Sequence, residues 1–465
     1  MSDTRKIGLW SLVFYAFAMN LAIRWLATGA ATGAKSLPIW PLAGLVFLLP
    51  LLTGTLDLSA RFPGEGAIYA WTRHTQGPFA GFMCGWLYWA SNIPYFAGLL
   101  IFVNSMLASL AGGAIGAWLG APTGAFAAST GLILVVGFLH AKGLGAGKWI
   151  PLAGATATLV IYAVLVGSGL WLGAHGQSAT NFAAADYRPP VNADGAILWS
   201  AMVFAYGGAE GVALLRNEVK GGVKTLRTGL IILGITLSFA FLLGTACMLM
   251  IIPQDQASRL AGLPDALKAA AQRVHMTQVA PGLILALALS QAGAVSAWFG
   301  AAARLPFAAG IDAALPRAVG YTDPKTGAPV VAIWFQVALV VAMLALSQAG
   351  TTVAKAYDFI VAMSVLSYTL PYLFMFVAYW KAQGLPMPDG GTGVAGGAKW
   401  GRWLAALGFL GSLSAILCSL VPTPDATPGA LGGWMATIKL AGAALVLIVS
   451  GAVLYAIAKT RKVPQ

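Results

Sequence analysis

Long apolar runs, separated by short polar segments, recur along the whole chain. Each run holds about twenty residues, enough for an α-helix to cross a hydrocarbon core of ~30 Å. The pattern therefore predicts an all-α polytopic membrane protein whose single integral domain covers residues 1–465. The twelve predicted spans fall at 8–33, 39–60, 79–109, 123–140, 149–173, 195–215, 228–252, 279–303, 328–348, 354–380, 403–421 and 431–457.

Composition narrows the class of protein further. Of the 465 residues, 59% are hydrophobic and only 9% are charged, whereas soluble domains carry about 25% charged residues. A net charge of +13 would suggest a nucleic-acid partner in a soluble protein. Here it is better explained by lysine and arginine on the cytoplasmic side, so we expect the lipid bilayer as partner and no nucleic acid. The three cysteines fit neither a disulfide framework nor a metal site, and we expect no metal and no cofactor.

The positive charges also predict an orientation. With both termini placed in the cytoplasm, the inner segments hold 19 lysines and arginines and the outer segments hold 6. Arg24 and Lys439 lie within spans and complete the 27. This bias is the one expected of a multi-pass protein of a bacterial inner membrane with both ends inside.

The sixth span contains a break signal. Phe204 and Tyr206 precede a glycine pair, Gly207 and Gly208, and Glu210 follows. Lipid cannot satisfy free backbone amides, so a helix breaks at that depth only where it lines a cavity or is buried in protein. A carboxylate at that depth is costly and usually functional. The stretch is interpreted as a discontinuous helix that forms half of a transport site.

The first span carries a matching signal. Arg24 lies about halfway along it, and small residues and threonines follow. Two spans five positions apart enter from opposite sides, so paired breaks at similar depth predict an inverted repeat with a midplane site. The expected repeats are 8–173 and 195–380, each of five spans with helices 1 and 6 discontinuous, and 403–457 supplies two further helices.

Four separated motifs carry a resemblance to a known family. Arg61-Phe62-Pro63-Gly64-Glu65-Gly66-Ala67-Ile68-Tyr69 and then Gly77-Pro78-Phe79-Ala80-Gly81-Phe82-Met83-Cys84-Gly85-Trp86 join spans two and three. The broken sixth span, the segment from Asn217 to Arg227 and the segment from Trp298 to Asp312 follow in order. The chain resembles amino acid permeases of the amino acid–polyamine–organocation (APC) superfamily over about its first 380 residues. The resemblance implies transport, and not catalysis, as its function.

The resemblance implies a binding site at the two breaks, with departures. Where the family commonly has G-S-G-I-F in helix 1, this chain reads Asn20-Leu21-Ala22-Ile23-Arg24-Trp25, without the glycines. Proton-coupled members often carry a lysine in helix 5, where this chain has Thr156-Ala157-Thr158. The expected substrate-binding residues are Ala22, Ile23, Arg24, Trp25, Trp89, Asn92, Phe204, Tyr206, Gly207 and Gly208.

The sequence is compatible with more than one role for Arg24 and for Glu210. Arg24 is either a bidentate ligand of a substrate carboxylate or an internal ion-pair partner of Glu210. Glu210 either binds a substrate ammonium, carries a proton or braces the break. A paired Arg24 and Glu210 would suit a zwitterion, whereas a free Arg24 would suit an acidic amino acid.

The remaining candidates belong to coupling or gating. Ser296 is a possible cation ligand on helix 8, although a lone serine more often packs between helices. Asp358, near the outer end of its span, is interpreted as a gate or interface group. The four histidines are placed at loops and given no role.

Taken together, the sequence favours a secondary transporter of amino acids or related amines, coupled to protons or to no ion. A polyamine or organic amine permease or exchanger of the same fold is the alternative. An intramembrane enzyme is disfavoured because the chain contains no Gly-x-Ser-x-Gly or His-Glu-x-x-His motif. A sensor is disfavoured because no output domain is evident.

Overall fold

A computed structural model describes residues 8–62, 67–143, 149–303, 321–348, 351–387, 397–421 and 432–460. Every regular element in that part of the chain is a helix. The α-helices are α1 (Leu9–Asn20), α2 (Arg24–Ala30), α3 (Ile39–Ala43), α4 (Leu49–Arg61), α5 (Ala67–Gln76), α6 (Pro78–Ala90), α7 (Asn92–Ala111), α8 (Gly113–Gly120), α9 (Pro122–Ala141), α10 (Trp149–Ala174), α11 (Ala193–Ala205), α12 (Gly222–Ile251), α13 (Gly262–Arg273), α14 (Ala280–Ala302), α15 (Val330–Gln348), α16 (Val353–Ala382), α17 (Gly397–Ser419) and α18 (Gly432–Thr460).

The helices confirm a polytopic membrane protein. Within the described residues, eleven helical segments are long and apolar enough to cross a membrane. The predicted first span is absent from that count because it is split into α1 and α2, of 12 and 7 residues. A short helix, α13, lies in the longest polar connection, as the sequence predicts.

Both predicted breaks occur. Helix 1 is interrupted at residues 21–23, between α1 and α2, and helix 6 at residues 206–208, between α11 and a 3₁₀ segment, Ala209–Glu218. The breaks fall within one or two residues of the predicted positions. The division into repeats at 8–173 and 195–380 stays a prediction.

Local side-chain bonds explain a further irregularity in the third span. The helix is interrupted at Ser91, where its hydroxyl donates to the Tyr88 carbonyl at 2.9 Å. The Asn92 amide donates to the same carbonyl at 2.7 Å and to that of Trp89 at 3.3 Å. Such bonds compete with the helical ladder and bend helices.

The two breaks lie in the interior of the bundle. α1, α2 and the 3₁₀ segment all pack against α12, and α2 also packs against α11. α16 packs against α7 and α11, which brings its tyrosines toward the break in helix 6. The last helix, α18, packs on α6 and α16 and presents exposed residues such as Leu445, Val449 and Val453 on its other side, as suits a lipid-facing helix.

Candidate functional site

Gly208 allows the chain to turn out of the helix at the sixth-span break. Its φ of +100° is rarely adopted by residues with a side chain. A Cβ at this position would lie 3.1 Å from Oδ1 of Asn20 and 3.4 Å from the ring of Trp298. The glycine therefore provides both the turn and the close approach of helices 1 and 8.

Glu210 is held by tyrosines from two other helices. Its Oε1 accepts hydrogen bonds from the hydroxyls of Tyr88 at 2.8 Å, Tyr372 at 2.9 Å and Tyr368 at 3.4 Å. Its Oε2 accepts one from the Gly208 amide at 3.1 Å, which also donates to the Tyr372 hydroxyl at 2.9 Å. Glu210 is 1% exposed, so these bonds satisfy a carboxylate that water does not reach.

Arg24 has a different environment. It begins α2, is 2% exposed, and its Nε has no hydrogen-bond partner. The guanidinium carbon lies 4.6 Å from the centre of the Trp25 ring and 4.9 Å from that of Tyr95. Two aromatic faces therefore attract the cation without neutralising it.

The ion pair between Arg24 and Glu210 that the sequence suggested is not formed. The salt bridges between described residues are Lys35–Asp186, Arg61–Asp57 and Arg259–Asp358. Glu210 instead bonds to Tyr88, Tyr368 and Tyr372. The phenol hydroxyls stabilise the charge of the buried acid through hydrogen bonds to a charged acceptor, which are stronger than those between neutral groups.

Aromatic side chains pack against one another beside the two breaks. Phe204, at the end of α11, makes edge contacts with Trp25 at 5.4 Å, Tyr368 at 5.4 Å and Tyr95 at 6.3 Å between ring centres. Tyr95 in turn lies 6.4 Å from Trp298. Phe204 and Trp25 are thus brought together as predicted, with Gly207, Gly208 and the break residues Ala22 and Ile23 next to them in the chain.

Asn20 is a polar residue at the break that the sequence reasoning missed. It ends α1 and is 5% exposed; its amide nitrogen donates to the Ala16 carbonyl at 2.8 Å, while its Oδ1 has no partner. Asn20 and Arg24 therefore flank the same break, and each presents a buried polar atom without a hydrogen bond. The available signal was its position within the stretch that replaces the family's glycine motif.

Three predicted binding residues point elsewhere. Tyr206 is directed at helices 2 and 7, where its hydroxyl donates to the Trp40 carbonyl at 3.1 Å and its ring packs on Phe241. Trp89 stacks on Phe335 at 6.0 Å, in a cluster separate from the breaks. The Asn92 amide is used at the interruption near Ser91. These contacts lie away from the two breaks, and the assignment of the three residues to the substrate wall stays a prediction.

The residues predicted to serve coupling or gating, Ser296 and Asp358, both contact other side chains in the structure. Ser296 lies 3.1 Å from Nε2 of His140, so its hydroxyl already has a partner. His140 is 6% exposed and belongs to α9, which corrects its placement at a loop. Asp358 pairs with Arg259 at 3.8 Å, and both residues line a cavity of about 40 Å³. Arg304, Asp312 and residues 63–66 of the family motifs lie outside the described residues.

A larger cleft of about 590 Å³ opens between α1, α10 and α14. Its walls are mainly apolar and include Trp10, Phe14 and Trp298, with Thr158 and Ser290 as polar residues. The two hydroxyls lie 2.6 Å apart. In the described part of the chain, no group of three or more histidine, cysteine, aspartate or glutamate side chains could hold a metal ion.

Comparison with known proteins identifies a matching family and several similar transporters. The amino acid permease family matches residues 7–449. An uncharacterized transporter of Legionella pneumophila is 23% identical over 429 residues, or 91% of each chain. The serine/threonine exchanger SteT of Bacillus subtilis is 25% identical over 74% of this chain and 75% of its own. The inner membrane transporter YjeM of Escherichia coli is 24% identical over 80% of each chain.

Solved structures support the fold. A crystal structure of the Eremococcus coleocola manganese transporter superposes with a TM-score of 0.54 at 14% identity, covering 97% of this chain and 95% of the other. At that identity the likeness concerns the fold alone.

Proposed function

Because the chain belongs to the amino acid permease family, we propose that it carries amino acids or related amines across a bacterial inner membrane by alternating access. Broken helices at mid-depth are the usual sites of substrate in transporters of this kind. The distribution of lysine and arginine favours cytoplasmic termini.

The observation that carries the proposal is that Arg24 is buried and that its Nε has no hydrogen-bond partner. A buried arginine in a membrane span costs at least ~2.5 kcal/mol on insertion scales. Here it lies at the helix 1 break, forms no salt bridge with a carboxylate among the described residues, and its Nε is unpartnered. A substrate carboxylate would supply that partner, and the planar guanidinium suits bidentate binding. Trp25, Phe204 and the glycine pair would line the same space.

Glu210 serves the proposed site as a brace. Three hydrogen bonds to its carboxylate join the sixth-span break to spans three and ten, and a fourth comes from the Gly208 amide within the break. If the transporter is proton-coupled, Glu210 is the described carboxylate at the breaks that could carry the proton. Unchanged pH-driven uptake by the Glu210→Gln protein would leave the brace as its role.

The proposal is tested with purified protein in proteoliposomes and in detergent. Uptake of labelled amino acids tests transport, and preloading with unlabelled amino acid separates exchange from net uptake. A ligand that binds the folded protein raises its apparent stability by RT ln(1 + [L]/Kd), so a thermal-shift screen identifies the substrate. We expect Arg24→Ala to abolish the shift and Arg24→Lys to retain a weak one, because lysine keeps the charge and loses the fork. Full-strength binding by Arg24→Ala would make the arginine structural only.

Arg188→Ala is the matched control. Arg188 is exposed in the loop between α10 and α11. Its removal takes one positive charge from the protein without touching the breaks, and both uptake and the thermal shift should stay at the level of the unmodified chain.

A further inference from the structure

Both oxygens of the carboxylate at the breaks already accept hydrogen bonds from the protein. Tyr88, Tyr368 and Tyr372 all direct hydroxyls at one oxygen of Glu210, and the Gly208 amide donates to the other. A substrate ammonium would have to compete with those donors to reach the acid. The three phenols and the amide therefore disfavour direct contact between Glu210 and a bound cation.

The arginine at the breaks keeps its charge uncompensated. Arg24 is in contact with the rings of Trp25 and Tyr95 and is in none of the salt bridges between described residues. An aromatic face attracts a cation through its quadrupole but has no net charge of its own. The empty site thus presents one buried positive charge that no carboxylate among the described residues contacts, because the carboxylate at the breaks is engaged by phenols.

We infer that the site selects amino acids of net charge −1, those with a carboxylate on the side chain. The inference rests on the proposed function and names its substrate class. One carboxylate on Arg24 neutralises the buried cation, and the rest of such a substrate is itself a neutral zwitterion. A neutral amino acid would bring an ammonium near Arg24 and supply no second carboxylate to offset it. A polyamine would add only positive charge.

Neutral polar groups are in place for the rest of the substrate. Oδ1 of Asn20 is a buried acceptor without a partner on the other side of the helix 1 break, and an ammonium can donate to it. The hydroxyl of Tyr95 makes no hydrogen bond within the described part of the chain, and its ring lies against Arg24. It can donate to the second carboxylate. These groups favour an amino acid over a simple monocarboxylate.

The test compares matched ligands that differ in charge and hardly in shape. Glutamate against glutamine and aspartate against asparagine are titrated in thermal-shift and uptake-competition assays on the unmodified protein. An additional charge-assisted hydrogen bond predicts about tenfold to a hundredfold stronger binding of the acidic member. Arg24→Gln should remove this preference, whereas Arg188→Gln, which removes an exposed arginine, should retain it.

The outcomes separate the two claims. Acidic preference in the unmodified protein supports the inference, even if Arg24→Gln does not fold. Equal or tighter binding of glutamine, or binding of putrescine, overturns the inference and leaves amino acid or amine transport standing. If no amino acid or amine produces a thermal shift or uptake, the proposed function fails together with the inference.

Discussion

The hydroxyl of Tyr88 lies 2.8 Å from Oε1 of Glu210. A residue of the third membrane span thus holds the acid that follows the break in the sixth. Tyr372 completes the arrangement from the tenth span, because it donates to Glu210 and also accepts from the Gly208 amide. Lipid offers no hydrogen-bond partner to a free backbone amide at the break. The Gly208 amide is therefore hydrogen-bonded by a side chain from a helix that is distant in sequence.

Loss of the Tyr88 hydroxyl should weaken this brace. We expect Tyr88→Phe to lower the free energy of unfolding by about 1.5–3 kcal/mol, the range for hydrogen bonds to charged groups, and to slow uptake. Tyr162→Phe is the control, since its partly buried hydroxyl donates to the neutral Ala240 carbonyl at 3.0 Å, away from the breaks. Tyr162→Phe should lower the free energy of unfolding by about 0.6 kcal/mol, the average for hydrogen bonds between helices in a membrane protein. Thermal unfolding in detergent and initial uptake rates measure both; equal effects would contradict a special role for Tyr88.

A methyl group at the glycine turn should be poorly tolerated. Gly208→Ala forces a Cβ onto a backbone with φ of +100° and within 3.1 Å of Oδ1 of Asn20. We expect a destabilisation of about 1–3 kcal/mol and a loss of transport, because residues held in such conformations store strain of that size. Gly211→Ala is the control, three residues later, where the nearest atom to the new Cβ is 4.0 Å away. Uptake by the Gly208→Ala protein at the control's rate would contradict this account.

The pair Arg259–Asp358 should control access rather than stability. Its side chains are 27% and 48% exposed, so the ion pair contributes at most about 1 kcal/mol to folding. We expect Asp358→Asn to leave the melting temperature nearly unchanged. Ser200 lines the same cavity of about 40 Å³ as the pair. A cysteine introduced there should react faster with an impermeant thiol reagent once the pair is removed.

This labelling experiment needs a background without the native cysteines, Cys84, Cys247 and Cys418. The charge-reversed double variant Arg259→Asp/Asp358→Arg should return the labelling rate toward that of the unmodified pair. Labelling that is indifferent to all of these changes would show that the pair is no gate.

The helices and their breaks were predictable because each depends on local sequence. A membrane span needs about twenty apolar residues whatever surrounds it. Gly207 and Gly208 predict the break in the sixth span. Arg24 indicates the break in the first span, because it lies at a depth where charge is costly. These signals need no knowledge of neighbouring helices.

Side-chain direction was harder to predict because it depends on helical phase and on distant partners. Phe204 and Tyr206 are two residues apart, and an α-helix turns about 200° over that distance. They therefore cannot face the same cavity, and Tyr206 faces Trp40 and Phe241 instead. Tyr88 and Trp89 are adjacent, and one residue turns an α-helix by about 100°, so these two side chains also face different neighbours.

The partners of Glu210 depend on tertiary packing. Tyr368 and Tyr372, four residues apart, occupy one face of α16 and reach Glu210 from about 160 positions away in sequence. Nothing in the pattern around either tyrosine indicates this contact. The sequence accordingly suggested Arg24 as the partner, the opposite charge at similar depth, although the two form none of the salt bridges between described residues.

Asn20 should contribute to recognition of the substrate's amino group. Its Oδ1 is the unpartnered acceptor at the helix 1 break. Asn20→Leu keeps a similar volume and removes the acceptor. We expect it to weaken glutamate binding by about 1–3 kcal/mol, the range for hydrogen bonds that involve a charged or buried polar group. Binding of glutarate, which has both carboxylates and no amino group, should change little.

The comparison of the two ligands isolates the contact. Leucine also removes the bond from the Asn20 amide to the Ala16 carbonyl, which weakens the end of α1 for either ligand alike. The difference between the glutamate and glutarate effects therefore reports the ammonium contact by itself, in the manner of a double-mutant cycle. Calorimetric titration of both ligands on both proteins measures it. If both ligands weaken equally, Asn20 acts through the shape of the break, and the ammonium must find its acceptor elsewhere.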